Sequence, residues 1–268
     1  MGYCLIPLTC YASRGEVLRL HHKGRTAAFS LEEFLLFDSG YPLLTMVFYC
    51  LLASYSFHTS NLSHWVVGNS FLLCTNTCIF TLGGIFTGER YNGRLRTIIA
   101  SPCSKLTVIL ASGIYPALQS IVTVALGFVI GGIIFGVDFS NLNFGLVLLT
   151  VICAMVSATS FGLFIAIFGL ISDSMHLILN IISYLLMIFT GAEFPISQLP
   201  VAAQFLSRIL PMTHALRAMN LLFEADNGNF WPQLGIELFI AGCYIIAAWA
   251  IFEIVEYIAR RRGLFDIY

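Results

Sequence analysis

Six long runs of apolar residues separated by short polar breaks dominate the chain, at roughly 41–58, 66–87, 107–136, 144–171, 176–191 and 232–257. A hydrocarbon core about 30 Å thick takes about 20 helical residues to cross, so runs of this length predict transmembrane helices. In lipid only helices or closed barrels satisfy every backbone group, and uninterrupted apolar runs exclude the alternating pattern of a barrel strand. The third and fourth runs exceed the minimum, which tilt or extension beyond the bilayer accommodates. The fifth is slightly short and leads directly into a Pro-containing stretch.

Composition supports the same class. Of 268 residues, 58% are hydrophobic and 10% charged, and the mean hydropathy is +0.88. That leaves too little polar surface to coat a soluble globule. The expected fold is an all-α, multi-pass integral membrane protein with six transmembrane helices. Its organisation is a 1–38 N-terminal segment followed by a 39–268 membrane domain. Residues 14–37 mix Arg14, Arg19, Lys23 and Arg25 with Val17, Leu18, Leu20, Phe29, Phe34 and Leu35, a pattern that suits a helix lying at the membrane surface.

The net charge of −1 matters less than where the 13 basic residues fall. Four precede the first run. Arg90, Arg94, Arg96 and Lys105 lie between the second and third, and Arg260, Arg261 and Arg262 follow the sixth. Basic residues gather on the cytoplasmic side, so both termini are expected there. The first ten residues lack the basic-then-apolar pattern of a cleavable signal. Of eight cysteines, Cys50, Cys74, Cys78, Cys153 and Cys243 fall within apolar runs and read as small apolar side chains rather than a disulfide framework.

Two polar segments stand out. The first, Gly88 to Pro102, carries Glu89, Arg90, Gly93 and Arg94, with Leu95, Ile98 and Ile99 at helical spacing and a stop at Ser101-Pro102. It reads as a short amphipathic cytoplasmic helix or as a basic loop that sets topology. The second runs from Thr190 to Asn229. Gly191, Glu193, Phe194, Pro195 and Pro200 break the fifth helix, and residues 202–210 and 213–223 read as two short helices interrupted by Pro211. They suit helices dipping into the outer leaflet, or a cap lying on its surface.

These two blocks resemble the type 2 ABC exporter permeases, among them the daunorubicin-resistance and nodulation-factor exporter permeases. The resemblance covers about residues 40–260. Its first block is Gly88-Glu89-Arg90, Gly93 and Ser101-Pro102. Its second is Gly191, Phe194-Pro195-Ile196, Leu199-Pro200, Leu210-Pro211-Met212-Thr213-His214 and Arg217. Many relatives carry Gly-Thr where this chain has Gly93-Arg94. The resemblance implies that the first block is a coupling helix docking on an ATPase subunit and the second a pair of outer re-entrant helices. It also implies a second permease copy or a related permease, two ATPase subunits that bind ATP and Mg, and a bacterial inner or plasma membrane as the location.

No Gly-x-x-x-x-Gly-Lys-Ser/Thr loop occurs, so this chain is expected to hold no ATP of its own and to be a transport subunit rather than an enzyme. No cofactor, metal site or nucleic-acid partner is expected; the bilayer is a partner by composition. An amphipathic, lipid-linked or drug-like substrate is the expectation from the resemblance. A channel, a secondary transporter and a membrane-embedded enzyme are the alternatives. The first two often show paired broken helices around a midplane site, and the third a cluster of His, Asp, Glu or Ser within the spans. Neither pattern is visible. Glu237, about two turns inside the last run, is a candidate intramembrane polar site. Gly127-x-x-x-Gly131 and Gly132-x-x-x-Gly136 are candidate close-packing faces. Asn61-Leu62-Ser63 forms a glycosylation tripeptide on the expected outer side.

Overall fold

The computed structural model describes residues 40–58, 62–91, 105–139, 142–170, 172, 174–223 and 228–262. Their regular structure is helical throughout. In chain order the helices are α1 (Tyr41–Phe57), α2 (Ser63–Tyr91), α3 (Lys105–Phe135), α4 (Phe144–Ala166), α5 (Met175–Phe189), α6 (Val201–Ile209), α7 (Thr213–Phe223) and α8 (Phe230–Arg262), with 3-10 turns at Ile167–Leu170 and Ile196–Gln198. The proposed surface helix at 14–37, Asn61, and Gly93, Arg94, Ser101 and Pro102 lie outside the described residues.

Local chemistry sets several boundaries. Asn143 begins α4 by accepting the Gly145 N–H on its side chain at 3.0 Å, one of the donors a helix start leaves unpaired. Gly136, at φ +63°, ends α3 in the left-handed conformation that glycine adopts without steric cost. Of the two glycine pairs in α3, only the first is a packing face. A Cβ at Gly127 would meet Ser70 Oγ of α2 at 2.6 Å, and one at Gly131 would run into Val66. A Cβ at Gly136 would meet nothing within 4 Å, and this glycine serves as the helix stop.

Four helices have windows long and apolar enough to cross a membrane, within Ser63–Gly84, Ala117–Phe135, Phe144–Gly169 and Phe230–Ile254. The other two expected spans, α1 and α5, are apolar but shorter, at 17 and 15 residues. α2 and α4 form the interior, and α3 and α8 turn most of their surface outward. The outward residues are apolar, Ile133 on α3 and Phe239 and Ile246 on α8 among them, as a lipid-facing surface requires.

Hydroxyls within the helices are disposed of internally. Ser70, Thr87, Thr150 and Ser160 each donate to the carbonyl four residues back, at 2.6–2.8 Å. Polar contacts also cross between helices: Ser183 Oγ of α5 donates to Asn76 Oδ1 of α2 at 2.8 Å, and Cys78 Sγ of α2 lies 3.6 Å from Thr159 Oγ1 of α4.

Candidate functional site

The segment from Thr190 to Phe223 folds as a hairpin against one end of the bundle. α5 ends where Gly191 takes φ +82°, a conformation that costs a side-chain-bearing residue energy. Pro195 and Pro200 then stand in extended geometry directly before the 3-10 turn and α6. Leu210 is extended as well, as the residue before a proline prefers, and with Pro211 and Met212 it reverses the chain into α7. Met212 has φ +70° and is fully buried.

The start of α7 is capped from a distance. Glu237 of α8 is fully buried. Its Oε1 accepts the backbone N–H of Met212 at 2.6 Å. Its Oε2 accepts those of His214 and Ala215, both at 3.1 Å. These are donors that a Ser, Asp or Asn at the cap position would ordinarily take. Met212 stands there instead, and the buried hydroxyl of Thr213 has no partner. A carboxylate at a helix N-terminus also faces the positive end of the helix dipole.

Two further side chains on the same face of α8 reinforce the hold. Gln233 Oε1 pairs with His214 Nδ1 at 2.7 Å, and Tyr244 donates its hydroxyl to the Ile209 carbonyl at 3.1 Å. Residues 233, 237 and 244 fall at helical spacing, so one stripe of α8 grips both arms of the hairpin. The Tyr244 ring in turn packs on Phe161 and Phe164 of α4, with centroids 5.0 and 5.6 Å apart.

The other side of the hairpin meets α2. Asn220 Nδ2 lies 3.0 Å from His64 Nδ1, and Trp65 Nε1 donates to the Glu193 carbonyl at 3.2 Å. At the hairpin tip the Thr75 hydroxyl reaches the Met212 sulfur. Gly68 lies so close to Ala192 that an added Cβ would collide with its carbonyl. Phe223 makes an edge contact with Phe139, which follows α3. Thr75 is 12 residues inside the start of α2, about 18 Å of helical rise, so α7 climbs beside α2 from that depth back to His64.

Glu193 is only 7% exposed, and its Oε1 has no hydrogen-bond partner. Burial pushes its carboxyl above the usual carboxylate range, with Asn69 beside it pulling the other way. His64 is also largely buried, between the Asn220 side chain and the Gly191 backbone.

The residues singled out in the sequence thus divide into places. Gly191, Glu193 and Pro211 are in the hairpin's packed interior, His214 is half-buried at the start of α7, Phe194, Pro195 and Pro200 stand on the exposed rim, and Arg217 is exposed on α7. Glu237 is joined directly to the hairpin. Glu89 and Arg90 are in the last turn of α2, at the end of the bundle away from the hairpin. Gly68, His64 and Asn220 were not singled out; a glycine among bulky residues in the second run was the one trace of the close approach. Among the described residues no group of three His, Cys, Asp or Glu is placed to hold a metal.

With four membrane-length apolar helices among its described residues, the chain is an integral, multi-pass membrane protein. Residues 37–223 match the ABC-2 type transporter membrane family, well over half of the chain. The chain belongs to that family, and it is an ABC transporter permease component. No curated protein matches it.

Proposed function

We propose that this chain is the membrane-spanning half of an ATP-driven exporter. It would work with a second copy or a related permease and with two separate ATPase subunits that bind ATP and Mg. The observation that carries the reading is the reach of the family match. Residues 37–223 take in both the polar connection at 88–102 and the 191–217 hairpin, the two blocks the sequence sets apart from its apolar runs.

In this reading α1 and α5 join the four longer helices as spans, making six, and both termini are cytoplasmic. Glu89, Arg90, Gly93, Arg94, Ser101 and Pro102 form the coupling interface. α2 delivers Glu89 and Arg90 to the bundle end opposite the hairpin, where the three arginines that end α8 also fall, as the positive-inside rule asks. The hairpin is then the outer, re-entrant element. Its tip at the depth of Thr75 would be covered by α2, α4 and α8, which is the condition for non-helical backbone inside a membrane.

ATP can bias the permease only through contacts that differ between its states. Closure of the ATPase pair would push on the coupling segments, and α2, which runs from that segment to the hairpin, would carry the displacement outward. Glu237 is assigned the role of a cap that fixes the hairpin, since both its oxygens are taken by backbone N–H groups, rather than that of a substrate contact. The substrate class is amphipathic, lipid-linked or drug-like.

The test is purification of the tagged chain from its native membrane in mild detergent, with mass spectrometry of what accompanies it. A stoichiometric ATPase subunit carrying a phosphate loop supports the exporter reading. Its reproducible absence from an intact, active preparation overturns it.

A further inference from the structure

The hairpin is held unequally on its two sides. Toward α8 it is gripped by one carboxylate accepting three backbone N–H groups, by Gln233 on His214 and by Tyr244 on Ile209. Hydrogen bonds to a charged acceptor are the stronger kind, and releasing them would strand both the carboxylate and a helix N-terminus. Toward α2 the contacts are scattered: Asn220 and the Gly191 backbone with His64, Trp65 with the Glu193 carbonyl, Asn69 with the Glu193 carboxyl, and Thr75 with Met212. That side also leaves the buried Glu193 Oε1 without a hydrogen bond, and water entering there would hydrate it.

α2 itself is anchored elsewhere. Near the hairpin it is backed by α3, through Gly127 against Ser70 and Gly131 against Val66, and by α1, where Ser70 meets Met46. Its other half is pinned to α4 and α5, where Gly162 lies against Leu82 and the Cys78 carbonyl, and Gly83 against Leu179. The hairpin, α8 and α4 are tied through Tyr244 into a second group. α2 and α3 also pack directly on α4, and the hairpin itself meets α2 across the scattered contacts above.

We propose that the hairpin end of this chain opens along the seam between α2 and the Gly191–Phe223 segment, with the α6–α7 hairpin travelling with α8. The inference rests on the exporter reading, which requires an end that opens and closes. The hairpin is then a flap carried by the last helix, and His64, Trp65 and Asn69 line the face that parts from it. Gly68 lets the seam close fully, because any larger residue would hold Ala192 away.

The experiment uses two cysteine pairs in a chain whose Cys4, Cys10, Cys103 and Cys243 are replaced by Ser. His64→Cys with Asn220→Cys spans the seam, and His214→Cys with Gln233→Cys joins hairpin to α8. A second seam pair, Trp65→Cys with Phe194→Cys, covers the case in which the first disturbs folding. Crosslinking by a short bifunctional methanethiosulfonate is compared in membranes with and without Mg-ATP and vanadate, and ATP hydrolysis is measured on the same membranes. The seam pairs should lose about threefold or more of their yield as the closed population is depleted, while the hairpin–α8 pair stays constant. A seam yield that holds steady beside an active ATPase, or a fall at the hairpin–α8 pair instead, overturns the proposal. Membranes with no associated hydrolysis count against the exporter reading itself, so the two failures are told apart.

Discussion

The backbone N–H of Met212 donates to Oε1 of Glu237 over 2.6 Å, joining residues 25 apart in sequence and placing the cap of one helix on the side chain of another. The same carboxylate takes the N–H groups of His214 and Ala215. Glu237→Ala leaves three donors at a buried helix start unpaired, a loss on the order of 3 kcal/mol. Glu237→Gln keeps one acceptor oxygen but turns donors toward donors, and falls between. Thermal unfolding in detergent with limited proteolysis of residues 190–229 is the check. The Ala variant should unfold at the lowest temperature and be cut first in the hairpin; three indistinguishable proteins would remove the capping role.

Gly68 and Gly84 lie on the same helix and should respond with opposite sign. A side chain at Gly68 meets the Ala192 backbone, which cannot rotate away, whereas nothing lies within 4 Å of a Cβ at Gly84. Gly68→Val should destabilise by about 1–3 kcal/mol, the range for forced overpacking. Gly84→Ala should be neutral or stabilising by about 0.5–1 kcal/mol, since alanine is the better helix former. Melting curves of the two variants against the parent decide it, and equal losses at both positions would contradict the close approach.

Glu193 gives the hairpin contact a pH dependence. Burial favours the protonated carboxyl, so its folded pKa lies above the ordinary 4.5. Its stabilising contribution is therefore complete below that ordinary value and is lost as pH rises through the elevated one. Melting temperature should fall over that window in the parent and lose this component in Glu193→Gln. Superimposable profiles for the two proteins would show that Glu193 is not buried as described.

Much of the bundle was legible because its signals are local. Apolar runs became helices with ends near the expected ones, as at 41–58 against Tyr41–Phe57. Asn143 and Gly136 mark a start and a stop by their own chemistry. The glycine pairs look alike in sequence, yet only Gly127 and Gly131 face α2, because facing depends on rotation about the helix axis and not on spacing. The hairpin's breaks were visible in Pro195, Pro200 and Pro211. Its grip was not, since Glu237 finds its target through the tertiary fold. The one sequence trace was a helix start at Met212-Thr213 with no capping side chain at Met212, and a buried-run carboxylate downstream with no cation beside it. His64 and Asn220, 156 positions apart, left no trace.

The central claim is that ATP acts on this chain through the connection after α2, where Glu89 and Arg90 end the helix and Arg94 follows. Its most direct test is the amount of ATPase subunit recovered with the tagged chain, measured side by side for the parent and for Arg90→Glu with Arg94→Glu. If this connection is the docking surface, reversing two of its charges sets like charges against whatever acidic groups face them, at a cost of several kcal/mol. The double variant should insert in the membrane as the parent does and lose most of the copurifying ATPase. Equal recovery from parent and variant would contradict the account.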